Sequence, residues 1–428
     1  MRGQEGGLEN GSIRSLMKGN VLVLTVSRVI WSVSMSIVFP FLSLYIIELG
    51  GTKPIVGMVN ALGSIASMFL FPVGGYLADK AGRAKFVGIS TFLFASSFLL
   101  FIFAPTWQWL AVGVVFQEIT LFYMPALNAI MADSIPVGAR GRILSLTIAI
   151  PEAVRIIVPS VGGWLIATFT LQPAMRMAYT FSLFMGAFVG FLRYRYLEET
   201  LENGVMDRNI PRILKESYSN AFKSFGWVLS NMRGYAILGI TVTFVASIVQ
   251  PFWIIYASEV IGLSPYAWGL VLLGGGLVKT VLSFVIGGLV DRLGPKRCIL
   301  ISFAVTIPAA FLFTRSTGFF QTAAIYLVMV VGNAFLWIAS SVLLADAIPR
   351  NIRGRIMAAL GQGLGVGIGG GGYTRGFILF IPSTIGAFLG GFIYEFNPAM
   401  PWLIQSAFLL VGIVMTLVLV KEPEKAEI

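Results

Sequence analysis

Six ionisable side chains stand inside stretches that are otherwise apolar: Arg28, Glu118, Glu152, Arg155, Lys279 and Arg375. A charge in such surroundings is costly, which makes each a functional candidate by default. A desolvated glutamate can bind and release a proton during a working cycle, and Glu118 and Glu152 are the candidates for that task. Glu152 and Arg155 are three residues apart, so on a helix they share a face and can neutralise each other. Glu118 could pair with Arg28 across the first half. Four cations against two carboxylates leave a positive surplus. If all face one cavity, Arg28 and Arg155 from the first half and Lys279 and Arg375 from the second would clamp a carboxylate or phosphate between them. The bland alternative is that Arg28 snorkels to the membrane surface and Arg375 lies in a loop.

Other chemistry is excluded by composition. The chain has no histidine and one cysteine, Cys298. It therefore cannot form an internal disulfide or a Ser–His pair, and it has no ligand set for zinc, haem or an iron–sulfur cluster. Any proton movement must run through carboxylates. No metal, cofactor or enzyme activity is expected, and a proton gradient is the expected energy source.

The elements that hold these residues are membrane helices. Of 428 residues, 57% are hydrophobic and 11% charged, and the mean hydropathy is +0.86. A soluble domain carries about 25% charged residues, so lipid must solvate much of this surface. Twelve segments are long enough to span: 20–49, 54–78, 86–105, 108–132, 143–170, 173–192, 234–261, 265–290, 298–314, 319–345, 356–392 and 398–420. Glu118 and Glu152 then sit roughly 15 Å from the nearer helix end, close to the midplane. Segment eleven is overlong, and eight glycines between Gly361 and Gly372 predict a break in it.

With both termini in the cytoplasm, 23 of the 30 lysines and arginines fall on the cytoplasmic side, and only Lys53, Arg176 and Arg315 on the other. This is a positive-inside distribution. It accounts for most of the +11 net charge and removes nucleic acid as the expected partner. The expected organisation is a cytoplasmic tail (1–19), a six-helix bundle (20–192), a cytoplasmic linker with an amphipathic helix on the membrane surface (193–233), a second bundle (234–420) and a short tail (421–428). The first apolar run is too long for a cleavable leader. An inner-membrane, multi-pass and monomeric protein is expected.

The two halves repeat. Pro40-Phe41, Tyr45 and Glu48 return as Pro251-Phe252, Tyr256 and Glu259, an offset of 211. Asp79 returns as Asp291, and the run from Asp133 to Arg142 returns as Asp346 to Arg355. Six helices per half make the repeat parallel, which places a solute site between the halves and lets them rock about it. Glu48 and Glu259 fall at the outer helix ends, where rim positions are expected.

Gly75-x-Leu77-x-Asp79-Lys80-x-Gly82-Arg83 resembles the signature loop of the major facilitator superfamily. A second copy runs through Gly287, Asp291, Arg292, Gly294, Lys296 and Arg297. The loops holding Asp133 and Arg142, and Asp346 and Arg355, resemble the family's second cytoplasmic signature. The resemblance covers the whole chain. It implies an all-α integral membrane fold of 12 helices in two homologous six-helix bundles, with these loops acting as a cytoplasmic gate.

Drug-exporting members carry R-x-x-Q-G in helix four, where this chain has Val114-Val115-Phe116-Gln117-Glu118. Their helix-five motif survives in part, as Pro159 and Gly162-Gly163. The expected function is secondary active transport of a small organic solute, as proton-coupled export of amphipathic compounds of the multidrug type. The alternative is uptake or exchange of a small organic anion, and a remote one is a transporter-like receptor.

Overall fold

The computed structural model describes residues 17–80, 82–135, 140–201, 209–349, 352–368 and 376–422. Within the helices, the side chains of residues 79, 140–142, 144, 145, 210, 354 and 355 lie outside that description. The fold is all-helical in character. Twelve helices are long and apolar enough to cross a membrane. The first half holds α1 (Gly19–Glu48), α2 (Lys53–Ala78), α3 (Arg83–Ile102), α4 (Trp107–Asp133), α5 (Leu146–Phe169) and α6 (Leu171–Tyr196). The second holds α7 (Arg233–Glu259), α8 (Pro265–Leu293), α9 (Pro295–Phe313), α10 (Phe319–Ala347), α11 (Phe377–Phe396) and α12 (Met400–Leu419). An even number of crossings puts both termini on one face, called here the termini side.

Proline explains most of the irregularities. It lacks an N–H and leaves a carbonyl four residues earlier without its helical partner. Pro40 and its repeat Pro251 tighten α1 and α7 into one 3₁₀ turn each, at Phe39–Phe41 and Gln250–Phe252. In α5, Pro151 and Pro159 stand eight residues apart, and the helix ends at Arg155 and restarts at Val158. Buried hydroxyls cap their own helices, as where Thr91 donates to the Val87 carbonyl and Ser217 to Ile213. In lipid every such group needs an internal partner.

The eleventh crossing is broken, as its glycines imply. A short helix at Arg353–Leu360 ends at Gly361 (φ 88°), and residues 362–368 are non-helical. Side chains from three helices hold the freed backbone. Asn333 Oδ1 accepts from the Val366 N–H, Ser340 Oγ from Leu364, and Gln405 and Trp253 donate to the carbonyls of Val366 and Gly367. Arg375 and the last four glycines of the run, 369–372, lie outside the described residues.

Two boundaries differ from expectation. The sixth crossing continues to Tyr196, so Arg193 and Arg195 are helical and not part of the linker. The linker helix, Ile210–Asn231, is docked and not simply laid on lipid. Ile213, Ser217, Ser224 and Val228 form its buried face, and Tyr218 donates to the Phe69 carbonyl of α2 at 2.7 Å. Leu214, Phe222 and Leu229 remain exposed on an adjoining face, where an interfacial helix keeps its lipid-facing side.

The halves meet through two symmetry-related helix pairs, α2 with α11 and α5 with α8. Glycine makes these contacts close. A Cβ on Gly57 would lie 2.4 Å from the Ala387 carbonyl oxygen, and one on Gly391 2.6 Å from Pro54 Cα. The other pair matches: Gly163 faces the Pro265 carbonyl at 2.4 Å and Gly269 the Pro159 carbonyl at 2.7 Å. All four lie toward the face opposite the termini, so that face is shut. Lys53 and Glu259 add an ion pair of 3.0 Å between the halves at its rim. Both side chains are partly solvated, and such pairs contribute about 0–1 kcal/mol. Glu259→Gln is therefore expected to change solute flux in liposomes by less than about fivefold.

Candidate functional site

The site is built where α5 breaks. Pro151 has no N–H to donate to the carbonyl four residues back, and neither has Pro159. Ser32 of α1 donates to the Pro151 carbonyl at 3.2 Å and ties the distorted turn to its neighbour. The opening aims Glu152 and Arg155 at α8, which approaches closely because Gly276 faces Ile156, where a Cβ would lie 3.0 Å from the side chain.

Glu152 consequently receives a cation from each half. Arg155 Nη1 donates to Oε1 at 3.3 Å within α5, and Lys279 Nζ stands 4.0 Å from Oε2 across the interface. All three side chains are part-exposed, between 32% and 43%, so water or solute can reach them. Lys279 is fourteen residues from either end of α8, or about 21 Å, which puts the cluster at the centre of the membrane. One carboxylate shared by two cations is a group whose protonation changes the attraction between halves.

The other intramembrane charges are placed differently from the pairings considered above. Glu118 turns to α2, where Ser67 Oγ donates to its Oε2 and Gly63 leaves room for its side chain. Arg28 turns to Asn128 of α4, donating from Nη2 at 3.3 Å. Arg28 and Glu118, which could have paired, are thus placed against different neighbours. The four-cation clamp is also altered, because Arg155 and Lys279 already share Glu152.

At the termini side, Arg83 connects the two signature loops of the first half. It donates to Asp133 at 2.5 Å, to the Ala78 carbonyl at 2.6 Å and to Thr200 at 3.1 Å. In the second half the position equivalent to Arg83 is Pro295, and Arg353 instead donates to the Ile348 carbonyl. Gly294 takes φ 84°, a left-handed turn that only glycine adopts freely, before Pro295 opens α9. Lys80 and Arg292 stand in the last turns of the second and eighth helices, Gly82 caps the start of α3 and Arg297 lies in the first turn of α9; Asp79, Arg142 and Arg355 have side chains outside the described residues.

Two features escaped the sequence reading. Glu199, just beyond α6, accepts from the Ala84 N–H at 3.0 Å, and Glu422, just beyond α12, accepts from Lys296 N–H at 2.7 Å. Each caps the third helix of its own half. Their separation of 223 equals that of Pro159 and Pro382, a repeat signal that was available. Burial would raise the Glu199 carboxyl, but the N–H groups of Ala84, Leu201, Arg83 and Thr200 outweigh it and hold the group below the usual carboxylate range. A lowered value stabilises the fold above the unfolded carboxylate range, and that gain is lost as pH falls through the folded value. Glu199→Gln should cost about 1 kcal/mol or less at pH 7, given its exposure. The melting difference from wild type should close as pH drops below about 4.

The second missed feature is Arg193. It is 2% exposed, and donates to Thr91 at 3.0 Å and Tyr123 at 3.4 Å. Its guanidinium lies 5.8 Å from the Trp31 ring centre and 5.9 Å from that of Tyr123.

The Major Facilitator Superfamily profile matches residues 24–225 and 235–428, both halves of the chain. The "Multidrug resistance protein 2" of Bacillus subtilis (strain 168) is 23% identical over 384 residues, covering 87% of this chain and 88% of that protein. The "Na(+), Li(+), K(+)/H(+) antiporter" of Planococcus maritimus is 27% identical over 223 residues, 50% of this chain and 49% of the antiporter. The "Quinolone resistance protein NorA" of Staphylococcus aureus (strain MRSA252) is 24% identical, covering 61% of this chain and 64% of that protein. The alignments thus span half to two thirds of those last two relatives. Among solved structures, a D-xylose-proton symporter superposes with TM-score 0.67 at 14% identity, covering 94% of this chain and 97% of the symporter. A peptide transporter POT bound to alafosfalin gives 0.69 at 15%, with 95% of each covered. Twelve apolar helices, a 6+6 repeat and a profile match through both halves agree: the chain belongs to the Major Facilitator Superfamily of membrane transporters.

Proposed function

We propose that this transporter exports amphipathic compounds from the cytoplasm in exchange for protons, with Glu152 as the coupling carboxylate. The observation that carries the reading is that Glu152 is contacted by Arg155 of its own half and Lys279 of the other. Ionised, Glu152 attracts Lys279 and draws α5 and α8 together at mid-membrane. Protonated, it leaves Lys279 and Arg155 as two like charges that favour separation there. A solute bound between the halves and a proton on Glu152 thereby bias the same rocking equilibrium, which is what coupling requires. The exporters and the cation/proton antiporter among its relatives support this direction and this coupling. The positive-inside distribution supports a cell-membrane location with the termini in the cytoplasm.

The test uses liposomes that hold the purified protein, a trapped pH-sensitive dye and an imposed proton gradient. Addition of a lipophilic cation or an amphipathic acid is expected to release protons. A dye signal that no solute changes would overturn proton coupling.

A further inference from the structure

Arg28 and Arg193 are two cations of one membrane-embedded bundle, and both reach the same stretch of α4, Arg28 at Asn128 and Arg193 at Tyr123. Trp31, one turn beyond Arg28 on α1, carries the Arg193 guanidinium over its ring. Among the described residues neither arginine has a carboxylate within ion-pair distance. The contrast with the α5–α8 cluster is plain, since Glu152 there serves both Arg155 and Lys279. A buried charge without a counter-charge is strongly destabilising unless something else supplies one. Two such charges in one bundle raise that demand.

The two side chains divide the work. Arg193 is fixed by Thr91, Tyr123 and the Trp31 ring, and its Nε is buried with no hydrogen-bond partner. It is a permanent positive charge behind the site. Arg28 is only half-buried, and a single hydrogen bond to the exposed Asn128 orients it. Most of its N–H groups stay free, and a guanidinium fork matches the paired oxygens of a carboxylate or phosphate.

We propose that Arg28 and Asn128, with Arg193 behind them, bind the carboxylate or phosphate group of an amphipathic ligand entering from the termini side. The site specifies acids among the compounds of the export reading and rests on that reading for direction only. Two sources of such a group exist, a transported solute and an anionic lipid. Depth favours the solute: Arg28 is nine residues into α1, about 14 Å, which is below a headgroup layer of about 5–7 Å.

The test is equilibrium binding without a proton gradient, so that its failure is separate from a failure of coupling. The full chain, purified and delipidated in detergent, is titrated with octanoate and with neutral octanamide. Octanoate is expected to bind about tenfold or more tighter. That preference should vanish in Arg28→Gln, and in Arg193→Gln where circular dichroism shows the fold intact. Repeating the titration in nanodiscs identifies the source. Octanoate affinity lowered about tenfold by phosphatidylglycerol relative to phosphatidylcholine assigns the site to the lipid headgroup, and equal affinity assigns it to the solute. Equal affinity for octanoate and octanamide, or a preference that survives in Arg28→Gln, would overturn the proposal.

Discussion

Glu152→Gln is expected to abolish solute-driven proton movement, at least about 100-fold below wild type, while leaving the protein folded and able to exchange solute. The substitution keeps the shape and one acceptor oxygen, so Arg155 retains a partner. It removes the carboxylate that a proton would neutralise in this cluster. The amide cannot ionise, and Lys279 then faces a neutral group in both orientations of the halves. Flux measured as solute counterflow should persist, because rocking no longer requires the proton.

Glu118→Gln provides the comparison. Glu118 is held by Ser67 of α2, inside the first half. Its substitution should reduce coupled flux by less than about tenfold. Coupled flux that survives in Glu152→Gln but disappears in Glu118→Gln would move the coupling role to α4. Glu152→Asp separates charge from reach: the carboxylate remains but withdraws by about one bond from a Lys279 already 4.0 Å away, so coupling should weaken without vanishing.

What could be read in advance follows from which physics is local. The crossings were legible because lipid imposes long apolar runs, and the repeat was legible because equivalent helix ends need the same Asp, Gly and Pro. The break in α11 was legible in its glycines. Side-chain partners were not, because helical period sets which face a residue occupies but not which helix covers that face. Glu118 and Arg28 lie at compatible depths, yet Gly63 draws α2 against Glu118 and Asn128 takes Arg28. Glu152 and Lys279 both stand inside predicted spans, and only the close approach of α5 to α8 at Gly276 shows that they meet. Arg193 and Arg195 directly follow the apolar run that ends at 192, so the sequence alone assigns both to the linker. The fold separates the two by one helical face: Arg193 turns inward to Thr91 and Tyr123, and Arg195 stays exposed.

Gly57→Ala is expected to impair transport as severely as loss of a charge, although it adds one methyl group. The new Cβ would lie 2.4 Å from the Ala387 carbonyl oxygen, and 3.0 Å from the Gly391 nitrogen, all backbone atoms of α11 that cannot turn aside. The helices must part, and only in the state where this face is shut. Overpacking of this kind costs about 1–3 kcal/mol, and charged to one of two states it shifts their ratio by about 5- to 150-fold. The contacts within each half are not touched by the new methyl, so the protein should remain folded. A cysteine at Ser383, now buried beside Ser64 and Ser247, should become reactive toward an impermeant maleimide added from the side opposite the termini. Gly274→Ala is the matched control, since its Cβ would meet the Leu327 side chain at an ordinary 3.6 Å. It should transport as wild type. If Gly57→Ala does so too, with the Ser383→Cys thiol still protected, then the tight α2–α11 contact is not the seal that alternating access must open and close.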